Sequence, residues 1–397
     1  MKVLKVIGLV ILSIILFFSL TLTGFAFMVD RTVMNPDFVS SEFDRLDISG
    51  LAGDALSQQS TTEFSPEMID MLKDTIAGIE PDIKSEFDTA VHYFYDYLKG
   101  EREDFELTAL LRSTFLSSDF LGSVIDETDI AVLAKSMFLE QIMAEMPLEE
   151  DARIQMSVYL EESLENREPY LKEELKKAVD PAADYLTGQR ENFSVSLSLE
   201  PLLDDFETAL RETYREYPPA EMEGIPPEQF DQEFDVFYQD FVQGVPSAFE
   251  IDETVIGADA PAELENLAAE TETALEQSKE AVGQFQLAYI LIIVISVLLI
   301  GCIVLIHRSV RGSTRNLGPV FLASGLLLLA VVLIRKFVIT DQLVQQMHDV
   351  PEQLQVWVPQ MLNNLMMPLQ WLSIGFIIAG ITLIVISFVY RPRETAE

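Results

Sequence analysis

Acid–base and metal chemistry need histidine, cysteine or carboxylate side chains at spacings that bring them together. This chain offers three histidines, one cysteine and 65 acidic residues among 397. His92, His307 and His348 stand far apart, and none has a metal-ligand spacing with another or with Cys302. Cys302 lies inside an apolar run and, being alone, forms no intramolecular disulfide, so the fold must stand on its packing. No glycine-rich phosphate loop, zinc-protease motif or nucleophile elbow occurs. The acidic stretches DETD (126–129) and LLDD (202–205) lack the ordered ligands and central glycine of a calcium loop. Carboxylates are abundant enough for a glycosidase-type pair, but abundance singles out none of them. The expectation is no catalytic residue, no metal ligand and no cofactor.

The placement of charge is more informative. Of the formal net charge of −39, residues 27–285 carry the excess, with 60 acidic and 17 basic side chains. The rest of the chain holds 5 acidic and 9 basic residues. So negative a surface repels nucleic acid and anionic headgroups, stays in solution, and attracts basic proteins or divalent cations. A plain solvated acidic face meets the same description. The segment is long enough to build its own core.

The ends are apolar. Val6 to Val29 is uncharged, follows Lys2 and Lys5, and can span the ~30 Å hydrocarbon core of a bilayer. Gly24-Phe25-Ala26 resembles a signal-peptide cleavage site, but the run is long for such a peptide and reads as an uncleaved anchor. Three more runs, 287–306, 318–334 and 368–390, are each followed by basic residues. With the N-terminus inside, Lys2, Lys5, Arg308, Arg311, Arg315, Arg391 and Arg393 are cytoplasmic. The short outer loop between the third and fourth spans carries two basic residues, Arg335 and Lys336, placed to snorkel to the interface. Both termini are thus expected in the cytoplasm and residues 30–285 outside, in a multi-pass plasma-membrane protein of prokaryotic type. Otherwise the three C-terminal spans hold no ionisable group, which argues against ion-coupled transport.

The acidic segment repeats itself. DYLKGEREDF (96–105) returns as DYLTGQRENF (184–193), and the same offset pairs Met68 with Met156, Leu72 with Leu160, and Ile76 with Leu164. Upstream, DFVSSEFDRLDISGLA (37–52) lies over DFLGSVIDETDIAVLA (119–134). This reads as a tandem duplication occupying 30–118 and 119–210. Apolar residues at helical spacing predict helices over 66–79 and 82–98, punctuated by Pro81 as Pro169 punctuates the copy. Gly100 and Gly188 fall where a left-handed residue closes a helix. A short extended piece follows, clearest at Phe193, Val195, Leu197 and Leu199, before another helix begins near Thr108 or Pro201. Tyr97 and Tyr185, Leu98 and Leu186, and Phe105 and Phe193 read as core. Arg102 and Arg190 either brace the turn by bonding nearby carbonyls or display a binding group twice. His92 is replaced by Asp180 in the copy.

Residues 211–260 are proline-rich around an aromatic helix at 228–244. Its stripe of Phe230, Phe234, Phe237 and Phe241 either caps the second repeat or forms a groove for a partner helix. Residues 261–306 then read as one unbroken helix, a stalk of ~67 Å continuous with the second span. Its thin seam of small residues argues against a strong coiled coil, though the stalk is where a homo-oligomer would form. Beyond it come a basic cytoplasmic loop (307–317), the third span (318–337), and an outer loop (338–367) divided by Pro351 and Pro359 into short interfacial helices. The fourth span (368–390) and a cytoplasmic tail (391–397) complete the chain.

The expected fold is mainly α: an integral membrane protein with four transmembrane helices and a large duplicated all-helical extracytoplasmic domain between the first and second. The expected function is non-enzymatic binding of a partner or envelope component at the cell surface, with the stalk coupling that domain to a membrane bundle. Its partners would be the lipid bilayer and a protein with basic surface, and not nucleic acid. One span, a large outer domain and three further spans resemble the topology of ABC permeases of the macrolide-exporter and cell-division type. That resemblance implies a permease-like subunit of a membrane complex. It covers topology alone, because those outer domains are mixed α/β and this one reads as nearly all helix. A membrane-anchored hydrolase is a third reading, which requires a cleft of paired carboxylates.

Overall fold

The structure, a computed structural model, describes residues 2–59, 65–135, 150–218, 222, 224–242, 247–335 and 350–389. In chain order these form α1 (Lys2–Arg31), α2 (Pro36–Asp44), α3 (Ile48–Gln59), α4 (Pro66–Leu98), α5 (Leu107–Ser113), α6 (Ser118–Glu127) and α7 (Ile130–Ala134). There follow α8 (Glu150–Leu186), β1 (Ser194–Ser198), α9 (Glu200–Glu216), α10 (Pro227–Val242), β2 (Ala248–Asp252) and α11 (Glu253–Ile256). The last three are α12 (Ala260–His307), α13 (Val310–Ile334) and α14 (Glu352–Val389). They fall into two compact units. The first comprises Met1–Asp47, Asp88–Phe105 and Thr273–Glu397; the second comprises Ile48–Phe87 and Glu106–Glu272.

The first unit holds the apolar helices. Four of them are long and apolar enough to cross a membrane: residues Val6–Arg31 of α1, and α12, α13 and α14. Leu16, Leu20, Ile303, Leu317 and Val320 make a core among them, where aliphatic side chains meet without charge. Ser19 and Ser296 share a 2.7 Å hydroxyl contact between α1 and α12, satisfying two polar groups that hydrocarbon would leave bare. Arg335 departs from the expectation that it snorkels. Its side chain is buried and donates to Asn363 Oδ1 of α14 at 3.3 Å. Pro359 also fails to divide the outer loop: α14 runs unbroken from Glu352, with Pro359 and Pro368 inside it. Residues 338–349 and the tail 391–397, with Lys336, His348, Arg391 and Arg393, lie outside the described residues.

The second unit corrects two further expectations. Pro81 and Pro169 do not end helices; they sit inside α4 and α8. A helical proline strips the carbonyl four residues back of its donor. Those carbonyls belong to Ala77 and Glu165, and both residues, like both prolines, are exposed, so water takes the donor's place. Nor is the unit all helix. β1 and β2 pair antiparallel, Ser194 opposite Asp252 and Ser198 opposite Ala248. The alternation of Phe193, Val195 and Leu197 turns one face of β1 toward Ala178 and Tyr185 of α8.

Two stretches of similar sequence share local geometry. Glu80 accepts the backbone N–H of Ser49 at the start of α3 and pairs with Lys84 at 2.6 Å. Glu168 accepts the N–H of Ile130 at the start of α7 and pairs with Lys172 at 2.8 Å. In each case a carboxylate covers a helix start, where unpaired N–H groups favour negative charge. Burial pushes the Glu80 carboxyl up, but the bonds from Lys84 and Ser49 outweigh it and leave the pKa lowered.

Candidate functional site

The repeated corner closes α4 and α8 in the same way. After α4, Gly100 takes φ +77°, and the N–H groups of Glu101 and Arg102 both donate to Asp96 O at 2.8 and 3.1 Å. After α8, Gly188 takes φ +72°, and Gln189 and Arg190 donate to Asp184 O at 2.8 and 3.1 Å. Positive φ is open to glycine without the cost a Cβ would bring. Beyond each corner a phenylalanine folds back onto its helix. Phe105 lies against Tyr93 and Tyr97, with ring centroids 5.5 and 5.6 Å away, and Phe193 stacks on Tyr185 at 6.2 Å. Tyr97, Leu98, Phe105, Tyr185 and Phe193 are buried and Leu186 is half-buried.

Arg102 does not brace carbonyls; its guanidinium lies over the Tyr93 ring at 4.0 Å. The copy has Pro181 at the position of Tyr93, and Arg190 is exposed. A different cation serves the first corner. Lys279 of α12 places Nζ 4.0 Å from the Tyr97 ring centre and donates to the carbonyls of Arg102 and Glu103 at 3.3 and 3.4 Å. It is the only lysine or arginine between Arg215 and Arg308, and that isolation among acidic residues singles it out in the sequence itself. The second corner meets the chain just before α12: the Tyr185 hydroxyl donates to Ala258 O at 3.2 Å, beside Gly257 at φ +109°.

Further contacts fasten the end of α4 within the first unit. The Tyr95 hydroxyl donates to Val33 O. His92 sets Nδ1 2.9 Å from Asp88 O and Nε2 3.2 Å from Asp37 Oδ1. The Asp88 carbonyl raises the His92 pKa most; burial opposes it, and the Asp37 and Asp88 carboxylates add to the rise, leaving the pKa raised. A histidine whose folded pKa is raised stabilises the fold fully below its unfolded pKa of about 6.5, and loses that contribution as pH rises through the folded value. The melting difference between the protein and H92Q is therefore expected at mildly acidic pH and gone at alkaline pH; a pH-independent difference would mean a packing role alone. In the copy, Asp180 instead pairs with Arg112 at 2.7 Å and accepts from Ser118, contacts that lower its pKa. Glu42 of α2, a buried carboxylate, accepts from Asn364 of α14 at 3.0 Å and pairs with Arg45. The Trp357 indole donates to the Glu42 carbonyl at 2.7 Å.

Among the described residues, the aromatic stripe faces inward. Phe230, Phe234 and Tyr238 are buried against Met156 and Leu160 of α8 and Leu210 and Tyr214 of α9, and Phe237 is half-buried there. The Phe241 side chain lies outside the described residues. Arg211 covers Phe234 at 4.5 Å while holding Asp235 at 2.7 Å. Tyr238 donates to Leu203 O, and burial pushes its pKa up to about 12. Sealed this way, α10 caps α8 and α9.

A polar groove of about 430 Å³ runs between α8 and α9, beside Ser163, Arg167 and Asp205. There Asp205 is already held by both arms of Arg167, at 2.7 and 2.9 Å. The carboxyl that burial pushes up, Glu86 beside Asp82 and Asp119, lies outside that groove. Among the described residues, no three histidine, cysteine or acidic side chains gather to hold a metal. No family model, curated protein or solved structure matches the chain. The assignment of function therefore rests on the corner and on α12.

Proposed function

We propose that the chain is a non-enzymatic, multi-pass plasma-membrane protein whose duplicated helical domain binds a basic partner protein outside the cell. In this reading α12 carries the effect of binding to the membrane helices. The observation that supports it is the lysine dock: the one cation of α12 clasps the end of the first corner through a ring and two carbonyls. α12 itself is 48 residues long, about 72 Å, and supplies residues to both compact units. The matched geometry at Gly100 and Gly188, and at Glu80 and Glu168, supports descent of the two halves from one repeat. Residues 30–285 are assigned to the outside, and both termini to the cytoplasm, by the basic residues after α12.

Two measurements test this. In a Cys302→Ser background, a cysteine at Gln189 should react with a membrane-impermeant maleimide on intact cells, and one at Arg311 only after permeabilisation. The reverse pattern overturns the orientation. Lys279→Met should weaken the dock by about 1–2 kcal/mol, the scale of a partly desolvated cation–π contact. Hydrogen exchange of amides 100–105 should speed up accordingly, and Lys279→Arg should restore part of the protection. Unchanged exchange in Lys279→Met would remove the coupling role. The permease-type reading shares the one-plus-three order of spans; steady co-purification with an ATPase would favour it instead.

A further inference from the structure

The geometry points to a binding site for an anionic glycerophospholipid at the α12–α13 turn. This rests on the membrane reading above but not on which way the chain is inserted. A cavity of about 650 Å³ opens between α1 and α13. One end carries His307, Arg315 and Asn316; apart from Ser13 the remaining side chains are apolar, with Ile14, Phe17 and Ala323 along its walls. A groove charged at one end and aliphatic along its length has the layout of a phospholipid, headgroup phosphate first and acyl chain behind.

The polar end is built, not incidental. α12 stops at His307 and α13 starts at Val310, so only Arg308 and Ser309 make the turn, with Arg308 in the left-handed region at φ +50°. That tight turn folds His307 against Asn316, 2.9 Å between ring nitrogen and amide. Gly312 makes room for it: a Cβ there would stand 2.6 Å from His307 Nδ1. Ser309 caps the start of α13 by accepting the N–H of Gly312, and the positive end of the helix dipole lies at that same start.

The charge has no acidic neighbour in the flanking sequence. No acidic residue occurs between Glu280 and Asp341, or before Asp30. Arg308, Arg311 and Arg315 take part in no ion pair among the described residues. Arg315 in the cavity lining, with Arg308 and Arg311 close to it in the chain, would hold a phosphate that arrives with its own acyl chain. Basic pockets between membrane helices are suited to anionic headgroups, each cation near the surface favouring them about five-fold. A free anion would make no use of the apolar walls, and a neutral zwitterionic lipid would gain little from the arginines.

The test is native mass spectrometry of the full-length protein, delipidated in detergent and titrated with phosphatidylglycerol or phosphatidylcholine. Phosphatidylglycerol should bind several-fold more tightly. Arg315→Gln should lower that preference about five-fold, and Arg315→Lys should largely keep it, which separates loss of charge from loss of fold. Ala323→Phe, which fills the wall, should reduce occupancy by both lipids with Arg315 intact. Arg190→Gln, far along the sequence on an exposed corner, should change nothing. Equal binding of the two lipids, or a preference that survives Arg315→Gln, would overturn the site while leaving the membrane assignment standing. Displacement of the lipid by millimolar glycerophosphate would overturn the lipid in favour of a soluble anion.

Discussion

Phe234→Ala is expected to cost the second unit about 3–5 kcal/mol, the range for truncating a fully enclosed aromatic. Phe234 has no accessible surface and forms the centre of the aromatic cluster. Phe230 and Tyr238 stack on it, both at 6.0 Å, and Tyr214 meets it edge-on at 6.1 Å. Alanine removes these contacts, opens a cavity between three helices, and takes the ring from under Arg211. Amides in α8, α9 and α10 should then exchange about 10²–10⁴ times faster in the full-length protein. Val236→Ala, one helical step around at 62% exposure, should stay within about 0.5 kcal/mol. Equal effects at the two positions would mean that α10 does not cap the unit.

That stripe could be read from sequence as helical, but its spacing is the same whether a stripe faces its own core or a partner. What decides it is tertiary: α8 and α9 supply Met156, Leu160, Leu210 and Tyr214 from positions far away in the chain. Membrane-capable helices are legible for a simpler reason, since length and hydropathy act within one segment. α12 is expected over 261–306 and runs Ala260–His307. The glycine corners are also local, because a helix end at positive φ selects glycine whatever surrounds it.

Prolines show where local reasoning stops. Pro81 and Pro169 lie on exposed helix faces, where water can serve the freed carbonyl, and sequence does not reveal which face a proline occupies. β2 is not legible in the sequence, because Ala248–Asp252 becomes a strand by pairing with β1, with all of α9 and α10 between them in the chain. Of the coupling contacts, Lys279 could have been found by its isolation. Glu42 could not: a carboxylate in an acidic segment looks solvated until Trp357 and Asn364, over 300 positions away, enclose it.

The membrane helices should be most sensitive where no side chain exists at all. A Cβ at Gly380 would lie 2.6 Å from Leu322 N and 2.9 Å from Gly318 O, both backbone atoms of α13. One at Gly325 would lie 2.8 Å from Ser373 O. At these points α13 and α14 touch main chain to main chain, an approach only glycine permits. In hydrocarbon such contact matters more than in water, because no hydrophobic force presses two apolar helices together and dispersion at close range must do so. Overpacking a core typically costs about 1–3 kcal/mol because neighbouring side chains shift. Here the obstructing atoms are backbone and the helices themselves must separate, so Gly380→Leu should reach the top of that range or exceed it. Gly375 lies on the same helix with nothing within 4 Å of its virtual Cβ, so Gly375→Leu carries the same helix propensity change without the clash. Thermal unfolding of the detergent-solubilised protein should separate the two clearly, with Gly380→Leu melting lower. If both melt together, α13 and α14 are not held by backbone contact, and the packing of the membrane unit must rest on its leucine core instead.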